Sequence, residues 1–189
     1  MTKKNKIWPG MMLVAFTAGA ASAADRGEFQ LTPYLGISRI KIDGRNQEFG
    51  ETERFKGSNI GITAGYRAPF GLLAEIGRSA SGNPLFGWLE GGEMRERYGA
   101  LGFDIGFGKV WHFIPKIGVT KWQLDAAAFE DLVDDSGELT KSLEGSDPYF
   151  ELTLTRSYNP HVAIGLSLRS ADVEFGDARS AAFRFIWSL

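Results

Sequence analysis

The C-terminal stretch of the chain, residues 178–189, reads ARSAAFRFIWSL. Every second residue near its end is apolar, and most of these are aromatic: Ala181, Phe183, Phe185, Trp187 and Leu189. Because successive side chains of a strand point to opposite faces, this alternation predicts a β-strand with one apolar face. Arg184 lies on the opposite face of the same strand.

The N-terminus has the three-part layout of a secretion signal. Basic residues at positions 3, 4 and 6 are followed by an apolar run over residues 7–16 and by Ala21-Ser22-Ala23, an A-x-A cleavage site. We therefore expect residues 1–23 to be a cleaved signal peptide and residues 24–189 to form the mature domain. Removing three lysines makes the mature chain more acidic than its formal net charge of −2, which argues against nucleic acid as a partner.

The composition narrows the class further. No apolar run approaches the ~20 residues that a membrane helix needs. The chain contains 24 Gly and 13% aromatic residues, and it has no cysteine, which excludes disulfides and thiol chemistry. The lack of cysteine suits a protein that crosses an oxidising periplasm without becoming cross-linked.

Alternation of apolar with small or polar residues recurs in about eight segments, and their connections alternate between long and short. The predicted strands lie at about 29–42, 57–67, 71–80, 95–107, 110–121, 149–157, 162–169 and 178–189. This rhythm predicts an all-β fold, an eight-stranded antiparallel up-and-down transmembrane β-barrel. A soluble β-sandwich or a lipocalin-type barrel is the alternative.

The polar face of these strands carries charges of both signs: Arg67, Glu75, Asp104, Lys116, Glu151, Arg169 and Arg184. A sandwich core could not bury so many charges without a large desolvation penalty, whereas the narrow interior of a barrel can pair them. We expect these residues to form an interior charge network that fills the lumen and prevents diffusion. A proton or ion pathway is the alternative role for the same residues.

Four segments carry a resemblance to a known family. They are GITAGYRAPFGLLAEIG (61–77), FIPKIGVTKW (113–122), YNPHVAIGLSLRSADVEFG (158–176) and AFRFIWSL (182–189). These segments resemble the hairpins of small outer-membrane barrels of the OmpA-transmembrane, OmpX and opacity-protein (porin-like) type. The resemblance implies a location in the bacterial outer membrane and insertion by the barrel assembly machinery. That machinery reads the final strand, so the implied assembly signal is Phe183, Phe185, Trp187 and Leu189, with Leu189 in place of the usual terminal aromatic residue.

With both termini in the periplasm, the connections 43–56, 81–94, 122–147 and 172–177 would face outward. Basic residues on the lipid-facing side of the strands near these connections are Arg39, Lys41, Arg78, Arg97 and Lys121. They either bind lipopolysaccharide phosphates or extend to the interface, as long cationic side chains do in any membrane protein. The acidic connection 125–147 is either a solvated loop or a binding site for divalent cations or for a host or phage surface ligand.

Catalysis is not expected. Both histidines, His112 and His161, fall near short turns, no H-x-S arrangement accompanies them, and no metal or cofactor motif is present. The sequence predicts a non-catalytic structural or surface-interaction role through the extracellular loops, with outer-membrane lipid as a partner. A small-solute or hydrophobic-molecule conduit is the second hypothesis, and a lipid A-modifying enzyme is a third, disfavoured one.

Overall fold

The computed structural model describes residues 27–42, 53–82, 93–125, 142–173 and 176–189. The expected signal peptide, residues 1–23, lies outside the described residues. Among the residues that the structure describes, no helix is long and apolar enough to cross a membrane.

The described chain forms antiparallel β-strands that close into a barrel. Their bounds are β1 Glu28–Ile42, β2 Glu53–Arg67, β3 Leu72–Gly82, β4 Glu93–Phe103, β5 Ile105–Phe107, β6 Trp111–Asp125, β7 Ser142–Asn159, β8 Val162–Val173 and β9 Gly176–Ser188. Strands that follow one another in the chain pair side by side, and β9 returns to pair with β1. The predicted fold class, an all-β eight-stranded antiparallel up-and-down barrel, is therefore confirmed.

The segments β4 and β5 are two parts of one barrel strand, which is why nine segments make eight staves. Both pair with β6 in one continuous register, with Gly102 opposite Lys116 and Ile105 opposite Phe113. Pro115 lies on β6 in the interval between these pairs. Proline has no backbone N–H to donate, so the ladder is interrupted there without a change of register.

The closing strand pairs with the first strand along most of its length. Leu31 lies opposite Trp187 and Leu35 opposite Phe183, and the backbone N–H of Leu189 donates to the carbonyl of Phe29 at 2.8 Å. This pairing removes the open edge that an isolated terminal strand would leave.

Apolar residues lie on the outside of this barrel and polar ones on the inside. Ile37 and Ile76 are each 70% exposed, whereas Thr63 and Thr153 in the interior are each 1% exposed. The alternation along every strand produces this reversal of the usual burial, because one parity faces out and the other faces in.

The strands extend further than the alternation predicts. The connection predicted over 122–147 is wrong at both ends, since β6 continues to Asp125 and β7 begins at Ser142. Likewise β2 begins at Glu53 and β9 at Gly176. Toward these ends both faces of a strand can be polar, so the hydrophobic pattern disappears while backbone pairing continues.

Two tight turns use glycine in a left-handed conformation. Gly71 has φ of 94° in the turn before β3, and Gly108 has φ of 67° in the turn before β6. Other residues rarely adopt these angles, so the two glycines help to fix the short connections.

Candidate functional site

A network of six charged side chains fills the middle of the barrel. Its centre is Glu151 on β7, which is 2% exposed. One oxygen of Glu151 accepts from Lys116 Nζ at 3.0 Å and from Arg184, and the other accepts from Arg169 Nε at 3.0 Å. Three cations from three different strands therefore meet at one carboxylate.

Two further carboxylates complete the network. Glu75 lies 2.6 Å from Lys116 Nζ and 3.4 Å from Arg184 Nη2. Glu96 lies 3.8 Å from Arg169 Nη1 and accepts a hydrogen bond from Ser79 Oγ at 2.7 Å. The six side chains are all buried, and three acids balance three cations. Such pairing is what allows charges to remain ionised away from water.

Tyrosines enclose the network. The guanidinium of Arg169 stacks 4.0 Å from the ring centroid of Tyr98 and 4.3 Å from that of Tyr149. Tyr98 and Tyr34 are joined by a 2.9 Å hydrogen bond between their hydroxyls. The glycines directly opposite these three tyrosines leave room for the rings: Gly61, Gly77 and Gly118. The interior is thus packed with side chains as well as paired in charge.

A second charged cluster lies near the short turns. Arg67 contacts Asp104, and its Nη2 is 2.5 Å from Glu28 Oε1. The other oxygen of Asp104 lies 2.9 Å from His112 Nδ1. Arg67 is more exposed than the cations of the central network, with 26% of its side chain accessible. This cluster covers the turn end of the lumen.

The predicted interior residues divide between these two clusters. The structure places Glu75, Lys116, Glu151, Arg169 and Arg184 in the central network, and Arg67 and Asp104 in the turn-end cluster. The prediction omits Glu96, Glu28, His112 and the three tyrosines. Glu96 and the tyrosines share the inward parity of their strands, so alternation alone could have identified them.

The predicted rim cations lie on the outward face, and the strand register sorts them into two rows. Arg97 lies directly opposite both Arg78 and Lys121. Arg39 instead lies opposite Lys56 and Arg179, two cations that the prediction omits. Lys41 lies opposite Asp177 on β9 and belongs to neither row.

The two histidines do not form a recognisable catalytic site. His112 contacts Asp104, and His161 Nδ1 lies 3.2 Å from the carbonyl of Ser188. Within the described ranges, no hydroxyl hydrogen-bonds to either ring. No group of three or more potential metal ligands occurs in that same part of the chain.

Comparison with known proteins agrees with this geometry. Ail, the attachment invasion locus protein of Yersinia pestis, superposes with a TM-score of 0.57 at 13% identity, over 87% of this chain and 99% of Ail. Neisserial surface protein A gives a TM-score of 0.56 at 9% identity, over 86% of this chain and 97% of its own. This chain has the fold of a small outer-membrane β-barrel. OprG from Pseudomonas aeruginosa shares it, with a TM-score of 0.55 at 12% identity, over 86% and 94% of the two chains.

These similarities are structural and not sequence-based. No protein-family model matches the sequence, and no curated protein matches it. At these identities the likeness establishes the fold, and the resemblance expected from the sequence is confirmed at that level.

Proposed function

We propose that this protein is an integral barrel of the bacterial outer membrane with a non-catalytic role at the cell surface. It acts through the end of the barrel from which the long connections leave. The observation that supports the proposal is the apolar exterior around a charged, filled interior. Large apolar side chains remain exposed on every stave of the barrel, Ile37, Ile76 and Leu166 among them.

In water such an exterior would be strongly unfavourable. Soluble monomers rarely expose apolar patches beyond a few hundred Å². In a bilayer the same surface contacts acyl chains, and a closed ladder pairs the backbone groups that cross the apolar layer. We infer that the final strand, with Phe183, Phe185, Trp187 and Leu189, is read by the outer-membrane assembly machinery.

The filled lumen directs the proposal to the outer end. The central network and its tyrosines occupy the space through which a solute would pass, so a conduit is not favoured. The connection after β6, residues 126–141, is rich in acidic residues and is long enough to present a binding surface. Among the structurally similar proteins, Ail has been crystallised with the heparin analogue sucrose octasulfate, which supports a surface-ligand role for this fold.

Deleting residues 126–141 tests the proposal. The deletion retains β6 and β7 and joins them by a short Gly-Ser linker, and a matched variant replaces residues 43–52 in the same way. Heat-modifiable migration in detergent gels verifies that both variants still fold as barrels. We expect the first deletion to reduce adhesion to host cells, serum resistance or phage sensitivity while leaving the barrel intact. Wild-type behaviour of both folded variants in all three assays would contradict a loop-mediated role.

A further inference from the structure

The outward face of the barrel carries two rows of three cations in direct cross-strand opposition. One row is Arg78, Arg97 and Lys121 on β3, β4 and β6. The other is Lys56, Arg39 and Arg179 on β2, β1 and β9. Residues directly opposite one another have Cβ atoms about 5 Å apart, and like charges at that separation destabilise a sheet. No member of either row forms an ion pair with another residue in the described part of the chain.

A groove lies beside the first row, on its turn side. The next outward positions are Ile76, Gly99 and Val119, which are again cross-strand partners. Because Gly99 has no side chain, the surface between the two larger residues is recessed. The groove has a volume of about 780 Å³ and reaches the cations above it. A Cβ placed at Gly99 would meet only the carbonyl oxygen of Glu75, at 3.8 Å, so the groove is open to solvent or lipid.

The second row has the same layout. Its next outward positions on the turn side include Ile37, Ala181 and Leu168, again in cross-strand register. The small Ala181 lies between two larger apolar side chains, and a groove of about 720 Å³ runs beside Arg39, Lys56 and Arg179. Two independent parts of the chain thus combine a triple cation row with an apolar groove over a small residue.

We propose that each groove holds an acyl chain of a phosphorylated outer-leaflet lipid, of the lipid A class, whose phosphoryl group is bound by the cation row above. A phosphate monoester carries about −1.5 to −2 charges near pH 7, which offsets the repulsion within a row of three cations. Arginine adds the bidentate geometry that phosphate oxygens accept. The inference rests on the proposed placement in the outer membrane.

Interfacial extension of the cations and dimerisation through a groove each fit less of the geometry. Extension of long cations toward the interface accounts for isolated basic residues, but not for three placed directly opposite one another. A two-fold dimer through either groove would bring two cation rows together across the interface, which is unfavourable. A phosphorylated amphiphile matches both the charge of the row and the apolar character of the groove.

The test is lipid binding by the full mature barrel in a zwitterionic detergent. Diphosphoryl lipid A is the probe, and native mass spectrometry counts the bound molecules while a titration gives the Kd. We expect two bound lipids for the wild type. The variant R78Q/R97Q/K121Q and the variant R39Q/K56Q/R179Q should each retain one site, with affinity at the other weakened about tenfold or more.

Two further variants separate a specific site from general electrostatics. G99L fills the first groove and keeps every charge, so it should also remove one bound lipid. R156Q removes an outward cation at the turn end of β7, where Arg156 stacks on Trp111 and Tyr158, and it should bind both lipids as the wild type does. Heat-modifiable migration establishes that each variant is folded, independently of any loop phenotype.

Three results would overturn the inference. The first is equal binding by the wild type and both triple variants. The second is equal weakening by R156Q and by either triple variant. The third is a barrel that is dimeric in detergent and becomes monomeric in G99L with lipid binding unchanged, which would assign the groove to a second copy. Because the assay uses purified barrel, these results are distinct from failure of the loop deletion in cells.

Discussion

Replacing Glu151 with glutamine should destabilise the barrel strongly. The substitution preserves shape but removes the carboxylate shared by Lys116, Arg169 and Arg184. The central network then changes from balanced charge to an excess of one cation, in a site where Glu151 is 2% exposed. Leaving a buried charge without its partner costs about 3–5 kcal/mol. We expect E151Q to lower the free energy of unfolding by that amount near pH 7.

Urea titration of the barrel folded in detergent measures the effect, with gel mobility distinguishing folded from unfolded chains. The matched control is E28Q, which removes a carboxylate from the partly exposed Arg67 and should cost about 1 kcal/mol or less. The double variant E151Q/K116M restores the charge balance and should recover part of the loss. Equal destabilisation by E151Q and E28Q would refute this reasoning, as would a double variant that loses the sum of the two single effects.

Three more outcomes follow from the same structure. G118A should destabilise the barrel by about 1–3 kcal/mol, because its new methyl group overlaps the carbonyl of Gly99 and lies 2.6 Å from the Tyr149 ring, whereas G99A should be tolerated; equal urea midpoints for the two variants would contradict this. L189F should preserve or improve assembly into the outer membrane, measured by the folded fraction in membrane extracts, and a clear loss would count against an assembly signal in the final strand. The purified protein should show negligible conductance in planar bilayers, and a large, stable single-channel current would contradict the filled lumen.

Alternation predicts which way each side chain points better than it predicts where each strand ends. Glu75, Glu151 and Arg184 each lie between apolar neighbours, so parity assigns them to the interior, and the structure places them there. Closure adds the information that parity lacks, because only the barrel brings β3, β7 and β9 close enough for these residues to pair.

The strand ends and the interruption at Asp104 depend on backbone hydrogen bonding, which leaves little trace in hydrophobicity. Residues 142–147 are predominantly polar, which favours a loop, yet they pair with β6 over their whole length. The interruption between β4 and β5 is not predicted either, although Pro115 is visible in the sequence. Locating the interruption requires the register that sets Pro115 beside this strand, and alternation alone does not supply it.

The cation rows show the same limit in a form that bears on function. The opposition of Arg97 and Lys121 could have been found by counting outward from the tight turn at Gly108, since a short hairpin fixes its own register. The opposition of Arg78 and Arg97 could not, because a long connection of variable geometry joins their strands. Arg39 and Arg179 meet only through closure of the barrel. A phosphate site built across such seams is therefore a property of the register, and shifting one strand by two residues would remove it while leaving every side chain on its present face.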